Sequence, residues 1–565
     1  MRPFTLSFLF RTSSCLLPLY TSRMRKFALL LLLALPVAAQ EPVDLGVVDR
    51  IQTEAFDHSK VMEILRQISD VHGPRLTGSP GFEDAARWAV SELNSYGLDK
   101  VHTEKWGPFG RPWTLEQSSV ELLQPSYSQL TAVPLAWSAS TNGPVTGDLV
   151  LAPLRASFRD GPAKFKQALD AYRAKWTGKL RGKIVLISDP KAPAEQTNPQ
   201  FTRYTAAQLA EMSEAPTPSP KLTARKLDDV EWPDDPTRLG AFFNSLSDNL
   251  MDQVYDLYDQ AVADRAEMFV KEGAAGILQE DDRAHQGLLM AEAAGGFKAS
   301  ATPPPPTFVI TAEQYNRIAR LLQHQETARV RLNLKAATAD RDVDGMNIVG
   351  EIPGGAKKDE VVMIGAHFDS WHSGTGATDN GAGSAVMIEA MRILKSLGLK
   401  LDRTVRIGLW SGEEEGLFGS RAYVKEHFAD PGTMRVTAEH AKLSVYFNLD
   451  NGSGKIRGVY LQGNGAVRPI FEAWLAPFRD LGVTTVSIRD TGGTDHLSFA
   501  AVGLPGFQFI QDPLDYGSIT HHSDMDTWDH AVPADLMQAS AVIASLVYDA
   551  ANRPEMLPRR PLPKP

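Results

Sequence analysis

Along residues 345–550, short apolar runs alternate with stretches whose apolar residues recur every three or four positions. The runs are NIVGEI, VVMIGAH, VRIGLWSG, LSVYFNLD, VYLQG and LPGFQFI, each five to eight residues long. Glycine or polar residues bound most of them, the pattern of strands buried on both faces. Between them the 3.6-residue period predicts helices over 383–396, 415–428, 467–479 and 533–550. This alternation predicts an α/β fold, a mixed and mostly parallel sheet sandwiched by helices.

Upstream, Val61, Ile64, Leu65 and Ile68 predict a helix over 59–69. Phe82, Ala85, Ala86, Ala89 and Leu93 predict a second, stopped by Gly97, with the turn-rich HGPRLTGSPG between the two. Residues 98–122 read as strands and loop. From about 125 to 340 the pattern is broken up. It offers a short strand in GKIVLI, a long helix over 246–271 ending at Glu272-Gly273, a strand over 274–278, a stiff Pro303–Pro306 connector, a strand at Thr307–Ile310 and a helix over 312–323. Between 190 and 240 a polar, proline-rich excursion reads as a lid. The middle region shows no cluster of metal-ligand residues.

The 565 residues leave room for two or three domains, and 43% hydrophobic with 22% charged residues is ordinary for a globular protein. A net charge of −10 argues against a nucleic-acid surface. Residues 24–39, MRKFALLLLLALPVAA, read as a secretory signal with a basic start, an apolar core too short to span a bilayer comfortably, and small residues before Gln40. Cleavage there predicts a secreted or periplasmic protein with no membrane span, and Met24 as the true start. The sole cysteine, Cys15, lies in this leader, which excludes disulfides and thiol catalysis from the mature chain.

Candidate chemistry gathers just past the strands. His367 and Asp369 follow VVMIGA, and Asp379 precedes the helix at 383. Glu413, Glu414 and Glu415 follow VRIGLWSG, Asp450 ends LSVYFNLD, and SITHHSDMDT brings His521, His522, Asp524 and Asp526. The carboxyl ends of strands are where open α/β sheets place ligands. Imidazole with carboxylate suits zinc. Each taken singly has a plainer explanation: a hydrogen-bonded loop acid, or glutamates favouring the start of the helix over 415–428. An aspartate directly after an apolar strand, however, is costly to bury unless paired or metal-bound.

HFDS, ATDNGAG, SGEEEGLFGS, NLD and HHSDMDT, in this order, resemble zinc peptidase family 28, the co-catalytic aminopeptidase and glutamate-carboxypeptidase group. RLTGSPG is similar to its N-terminal motif, and HFDSWHSGTGATDNGAG with THHSDMDT resembles its plasma glutamate carboxypeptidase branch. GKIVLI and KEGAAGIL resemble the protease-associated domain carried by such peptidases as an insertion. The resemblance implies a phosphorylase/hydrolase-like zinc exopeptidase fold. Its domains would be a leader at 1–39, an N-terminal part at 40–124, the β-rich protease-associated insertion at 125–340, the catalytic domain at 341–553 and a flexible tail at 554–565. It further implies two zinc ions bridged by Asp379, one completed by His367 and Asp450, the other by Glu414 and His522. Glu413 would be general base on a water shared by the two ions, Asp369 would orient His367, and His521 would donate to the oxyanion. Gly416-Leu417 sets the glutamate register, leaving Glu415 at the variable place.

The implied reaction is hydrolysis of peptides near a free terminus, by an aminopeptidase or dipeptidase. A carboxypeptidase would need an arginine to read a free carboxylate, for which Arg406, Arg421, Arg457 and Arg489 are candidates. A catalytically silent receptor-like relative should have lost ligands, and a single-zinc cyclase relative would not need both His367 and Asp450. The resemblance allows a homodimer, for which the chain shows no interface signature. Asp526 is expected near His522 or as a capping residue, Asp495-His496 near the pocket or in a structural turn, and His372 in solvent.

Overall fold

The computed structural model describes residues 41–563 apart from 192–196 and 282, so the leader and Cys15 lie outside the described residues. Among these, no helix is long and apolar enough to cross a membrane. Eight strands form the main sheet: β1 (Asp99–Gly110), β2 (Val343–Ile352), β3 (Lys357–His367), β4 (Arg403–Trp410), β5 (Leu443–Asn448), β6 (Ile456–Tyr460), β7 (Thr485–Ser487) and β8 (Gly506–Gln511). Their order is β1-β2-β4-β3-β5-β8-β6-β7. At the centre β4, β3, β5 and β8 run parallel, with Ile364 abreast of Ile407 and Phe447 abreast of Phe507. These are the strands whose apolar runs are unbroken, because helices cover both faces. Helices Leu45–Asp57, Pro80–Ser95, Ala382–Ser396 and Pro533–Asn552 pack on one face through Ile51, Ala89, Met387 and Ile543. Phe418–His427 and His496–Ala500 cover the other through Tyr423, Val424 and Phe499. At Gly365 a Cβ would meet Gly408 O at 2.5 Å and the Tyr446 hydroxyl at 2.7 Å, so the sheet admits only glycine there.

Gly110, at the end of β1, pairs with Val343, at the start of β2, so residues 111–342 leave and re-enter the sheet between neighbouring positions. They build a second eight-stranded sheet in the order Ser128–Leu130, Trp113–Gln124, Arg329–Thr338, Val145–Leu151, Ile184–Leu186, Gly276–Gln279, Thr307–Ile310, Ala132–Pro134. Only Thr131 separates the first and last of these strands in the chain, so the sheet curls until its edges meet. Helix Ala312–Gln323 packs into one of its cores, and helices Pro162–Trp176 and Asp248–Glu272 into another.

Three expectations are corrected. Trp113–Gln124 belongs to the second sheet, with Val120 opposite Leu332, which moves that boundary from 125 back to about 113. Strand alternation looks the same whichever sheet a strand joins. The Pro-rich tail is pinned rather than flexible: Leu557 is buried, and Arg559 donates to the carbonyls of His440 and Ala441. The helix after β4 begins at Phe418, leaving Glu413–Glu415 in the turn before it. The 190–240 excursion straps onto the far edge of the main sheet. Arg203 bonds Asp512 at 2.9 Å and Asp535 at 2.6 Å, and Ser487 Oγ donates to Met212 O at 2.6 Å.

Asp549, on helix Pro533–Asn552, has one buried oxygen that accepts no hydrogen bond. Burial, with Glu41 and Asp44 nearby, pushes its pKa from 3.8 up to about 8. The native state therefore keeps a proton that the unfolded chain releases, and stability falls as pH rises between those two values. Asp549→Asn is expected to melt above the wild type at about pH 8 and to converge with it near pH 4. A pH-independent difference between the two melting curves contradicts this.

Candidate metal centre

His367 closes β3, beside Trp410 at the end of β4. Past β4 the chain turns through Glu413 and Glu414, and past β5 it reaches Asp450. The parallel register thus brings three loops to one sheet edge. Asp379 arrives from the turn Ala377–Gly381, which leads into helix Ala382–Ser396. That turn is held from two sides. Asp526 accepts from Thr378 N (2.6 Å), Thr378 Oγ1 (2.8 Å) and Asp379 N (3.2 Å), while Asn380 Nδ2 donates to Leu449 O at 2.9 Å. At Gly383 a Cβ would lie 2.3 Å from Leu449 O, so the turn can approach β5 only with glycine there. His522 comes from the loop after β8, in a left-handed conformation (φ +59°) unusual for a residue with a Cβ.

The two oxygens of Asp379 face two imidazoles. His367 Nε2 lies 3.3 Å from Asp379 Oδ1 and 3.4 Å from Asp450 Oδ1. His522 Nε2 lies 3.3 Å from Asp379 Oδ2 and 3.0 Å from Glu414 Oε2. Each ring has its other nitrogen engaged: His367 Nδ1 with the backbone carbonyl of Asp369 at 3.1 Å (the Asp369 carboxylate is at 3.6 Å), His522 Nδ1 with Glu292 Oε1 at 2.7 Å. A neutral imidazole that donates from Nδ1 presents a lone pair at Nε2, so both lone pairs converge on Asp379. Glu413 Oε2 stands 4.0 Å from His367 Nε2. His521 stacks on His522 (centroids 3.8 Å apart), with Nε2 4.0 Å from Asp379 Oδ2 and its side chain 38% exposed.

This donor set suits divalent cations. Asp379 Oδ2 and Glu414 Oε1 are buried and accept no hydrogen bond. Two donors each about 2.0–2.1 Å from a tetrahedral zinc stand about 3.3 Å apart, the spacing found on either side of Asp379. Charge points the same way. Burial drives Glu413 well above the usual carboxylate range, aided by Asp450, Asp495 and Glu414. Burial and then Asp379 push Glu414 up to about 8. Burial opposes charge on His367 and His522, yet the surrounding carboxylates hold both well above the ordinary histidine value. Burial likewise opposes ionisation of Asp379, but His367, His522 and His521 hold its pKa below normal. His521, buried beside the charge of His522, falls to about 4.

All eight residues singled out from the sequence meet here; Asp369 stands one step back, its Oδ2 accepting from Thr77 Oγ1 at 3.0 Å and Glu414 N at 3.3 Å. Asp526 caps the Asp379 turn. Asp495 and His496 are buried, and His496 Nε2 lies 3.1 Å from Thr491 O. His372 is corrected: it is buried, with Nε2 2.7 Å from Pro134 O and its ring edge-on to Trp113. Three residues were missed. Thr77 and Arg75 had a signal in RLTGSPG, whereas Glu292, alone among small residues in MAEAAGG, had none.

Arg75 is fully buried and donates to the carbonyls of Phe368 (2.6 Å), Ile68 (3.0 Å), Thr375 (3.0 Å) and Gly376 (2.8 Å). One planar fork thereby ties the loop after β3 to that before Asp379, a geometry that an ammonium cannot reproduce. Arg75→Lys is expected to cost about 2–4 kcal/mol in urea unfolding, with charged hydrogen bonds each worth about 1.5–3 kcal/mol. An unchanged midpoint contradicts that role.

Residues 347–547, a span containing every metal-facing residue of the main sheet, match peptidase family M28. Carboxypeptidase Q of Mus musculus is 26% identical over 523 residues, covering 92% of this chain and 90% of that protein. Aminopeptidase YwaD of Bacillus subtilis (strain 168) is 29% identical over 229 residues, 39% of this chain and 48% of that one. The crystal structure of a peptidase M28 precursor from Shewanella amazonensis SB2B covers 92% of this chain and 99% of its own at 25% identity, with a TM-score of 0.63. With these residues in this order on this sheet, the chain belongs to peptidase family M28.

Proposed function

We propose that this protein is an exported di-zinc metallo-exopeptidase that cleaves next to a free amino terminus, as an aminopeptidase or dipeptidase. The observation that carries the reading is the placement of Asp379 between two imidazoles, each with a further carboxylate. His367, Asp379 and Asp450 would hold one ion, and Asp379, Glu414 and His522 the other. Bound there, the two ions supply Lewis acidity, polarising the scissile carbonyl and lowering the pKa of water. Glu413, buried and uncommitted to either set, takes the proton from water as its oxygen attacks the carbonyl carbon. It then gives that proton to the nitrogen as the C–N bond breaks. His521, half-exposed beside the cluster, directs a ring N–H at the developing oxyanion. Asp369 keeps its place behind His367.

The choice of terminus rests on charge. Each arginine that a carboxypeptidase might use already has a carboxylate: Arg406 with Glu351, Arg421 with Asp252 at 2.6 Å, Arg457 with Asp512 at 2.9 Å, Arg489 with Glu211 at 3.2 Å. The surroundings of Glu413 are rich in carboxylate and suit a substrate ammonium. The carboxypeptidase reading is favoured by the name of the mouse relative, which matches over nearly its whole length. A full set of donors counts against a silent binding protein. Export rests on the leader at 24–39, and we read the lobe at 113–338 as a protease-associated insertion.

Matched dipeptides with free or blocked ends separate these readings. Chelator-sensitive cleavage confined to free-amine substrates is expected. Cleavage of amine-blocked peptides that have a free carboxylate overturns the choice of terminus. Glu413→Ala is expected to retain two zinc ions per chain while turnover falls by about 10²–10⁴-fold. Undiminished turnover in that variant contradicts the base assignment.

A further inference from the structure

We infer that the inserted lobe completes the metal centre: Glu292 is the positioning residue that fixes the His522 imidazole. This rests on the di-zinc reading above. The two metal-facing histidines are supported differently. His367 ends a central strand, and its Nδ1 is engaged by Asp369, two residues along the same loop. His522 lies on a loop well past β8, and its Nδ1 meets Glu292 Oε1, from the second lobe, at 2.7 Å. Only with that nitrogen engaged does Nε2 point at Asp379 and Glu414.

The contact belongs to a small ladder. Ala291 N–H donates to His522 O at 3.2 Å, Asp524 N–H to Leu289 O at 2.9 Å, and Leu289 N–H to Asp524 Oδ1 at 3.0 Å. Met290 and Ser523 form an antiparallel bridge between them. Residues 289–292 thus lie as a strand along 522–524, and this ladder keeps His522 in its left-handed conformation. Glu292 is itself oriented by Arg283 Nη2 at 3.0 Å, and Arg283 by Asp281 at 3.0 Å, both from the inserted lobe. The His367–Asp450 half of the centre is therefore built by the main sheet alone, and the His522–Glu414 half depends on the insertion.

Calorimetric titration of the metal-stripped full chain with Zn²⁺ tests this. The wild type should show two sites. Glu292→Ala should weaken one of them about 10–100-fold, the usual cost of removing a partner behind a metal-bound histidine, and leave the other unchanged. Glu292→Gln keeps an acceptor oxygen but not the charge, and should recover much of that loss while remaining several-fold weaker than wild type. Arg283→Ala, which disturbs the lobe's surface while sparing the contact to His522, should stay within a few-fold of wild type at both sites. Far-UV circular dichroism and the melting point of the stripped proteins establish that each variant is folded. Two wild-type affinities in folded Glu292→Ala overturn the inference alone, as do two in Glu292→Gln should the alanine variant not fold. Fewer than two zinc ions on the wild type overturn the di-zinc reading and this inference with it.

Discussion

A carboxylate buried between two imidazoles is the constraint around which this molecule is arranged. Asp379 is nearly inaccessible to solvent, as are Asp450 and His367 around it. Burying that many acidic groups is expensive unless positive charge compensates them. The fully buried Arg75 does not do so, since its donors go to backbone carbonyls. Two divalent cations would balance the carboxylates of Asp379, Glu414 and Asp450, and the spacing of the donors on either side of Asp379 suits them.

The scaffold serves that cluster by being rigid where the donors originate. His367, Glu413, Glu414 and Asp450 all follow parallel strands locked in register and covered on both faces, so their loops start from fixed points. The loops are then tied together by groups that hold no metal: Arg75, Thr77, Asp526 and Asn380. Such shells turn a set of side chains into a defined geometry. The loop of His522 has the least support from the main sheet, and the second lobe meets it there.

The central strands and the metal-facing residues were legible in the sequence for one physical reason. A strand buried on both faces is an uninterrupted apolar run, and an ionisable residue at its end has few roles other than chemistry. The helix at Leu45–Asp57 escaped notice although Val48, Ile51 and Ala55 have helical spacing. The second sheet's claim on Trp113–Gln124, the docking of the tail and the burial of His372 were not readable, because each depends on a partner distant in the chain. Glu292 is the sharpest case, with 230 positions between it and His522 and nothing in its local pattern to mark it.

Anomalous diffraction at the zinc absorption edge, from crystals of the zinc-loaded protein, tests the central claim most directly. The account predicts two peaks about 3.5–4 Å apart, one on each side of the Asp379 carboxylate. A single peak, or zinc held away from Asp379, would contradict it.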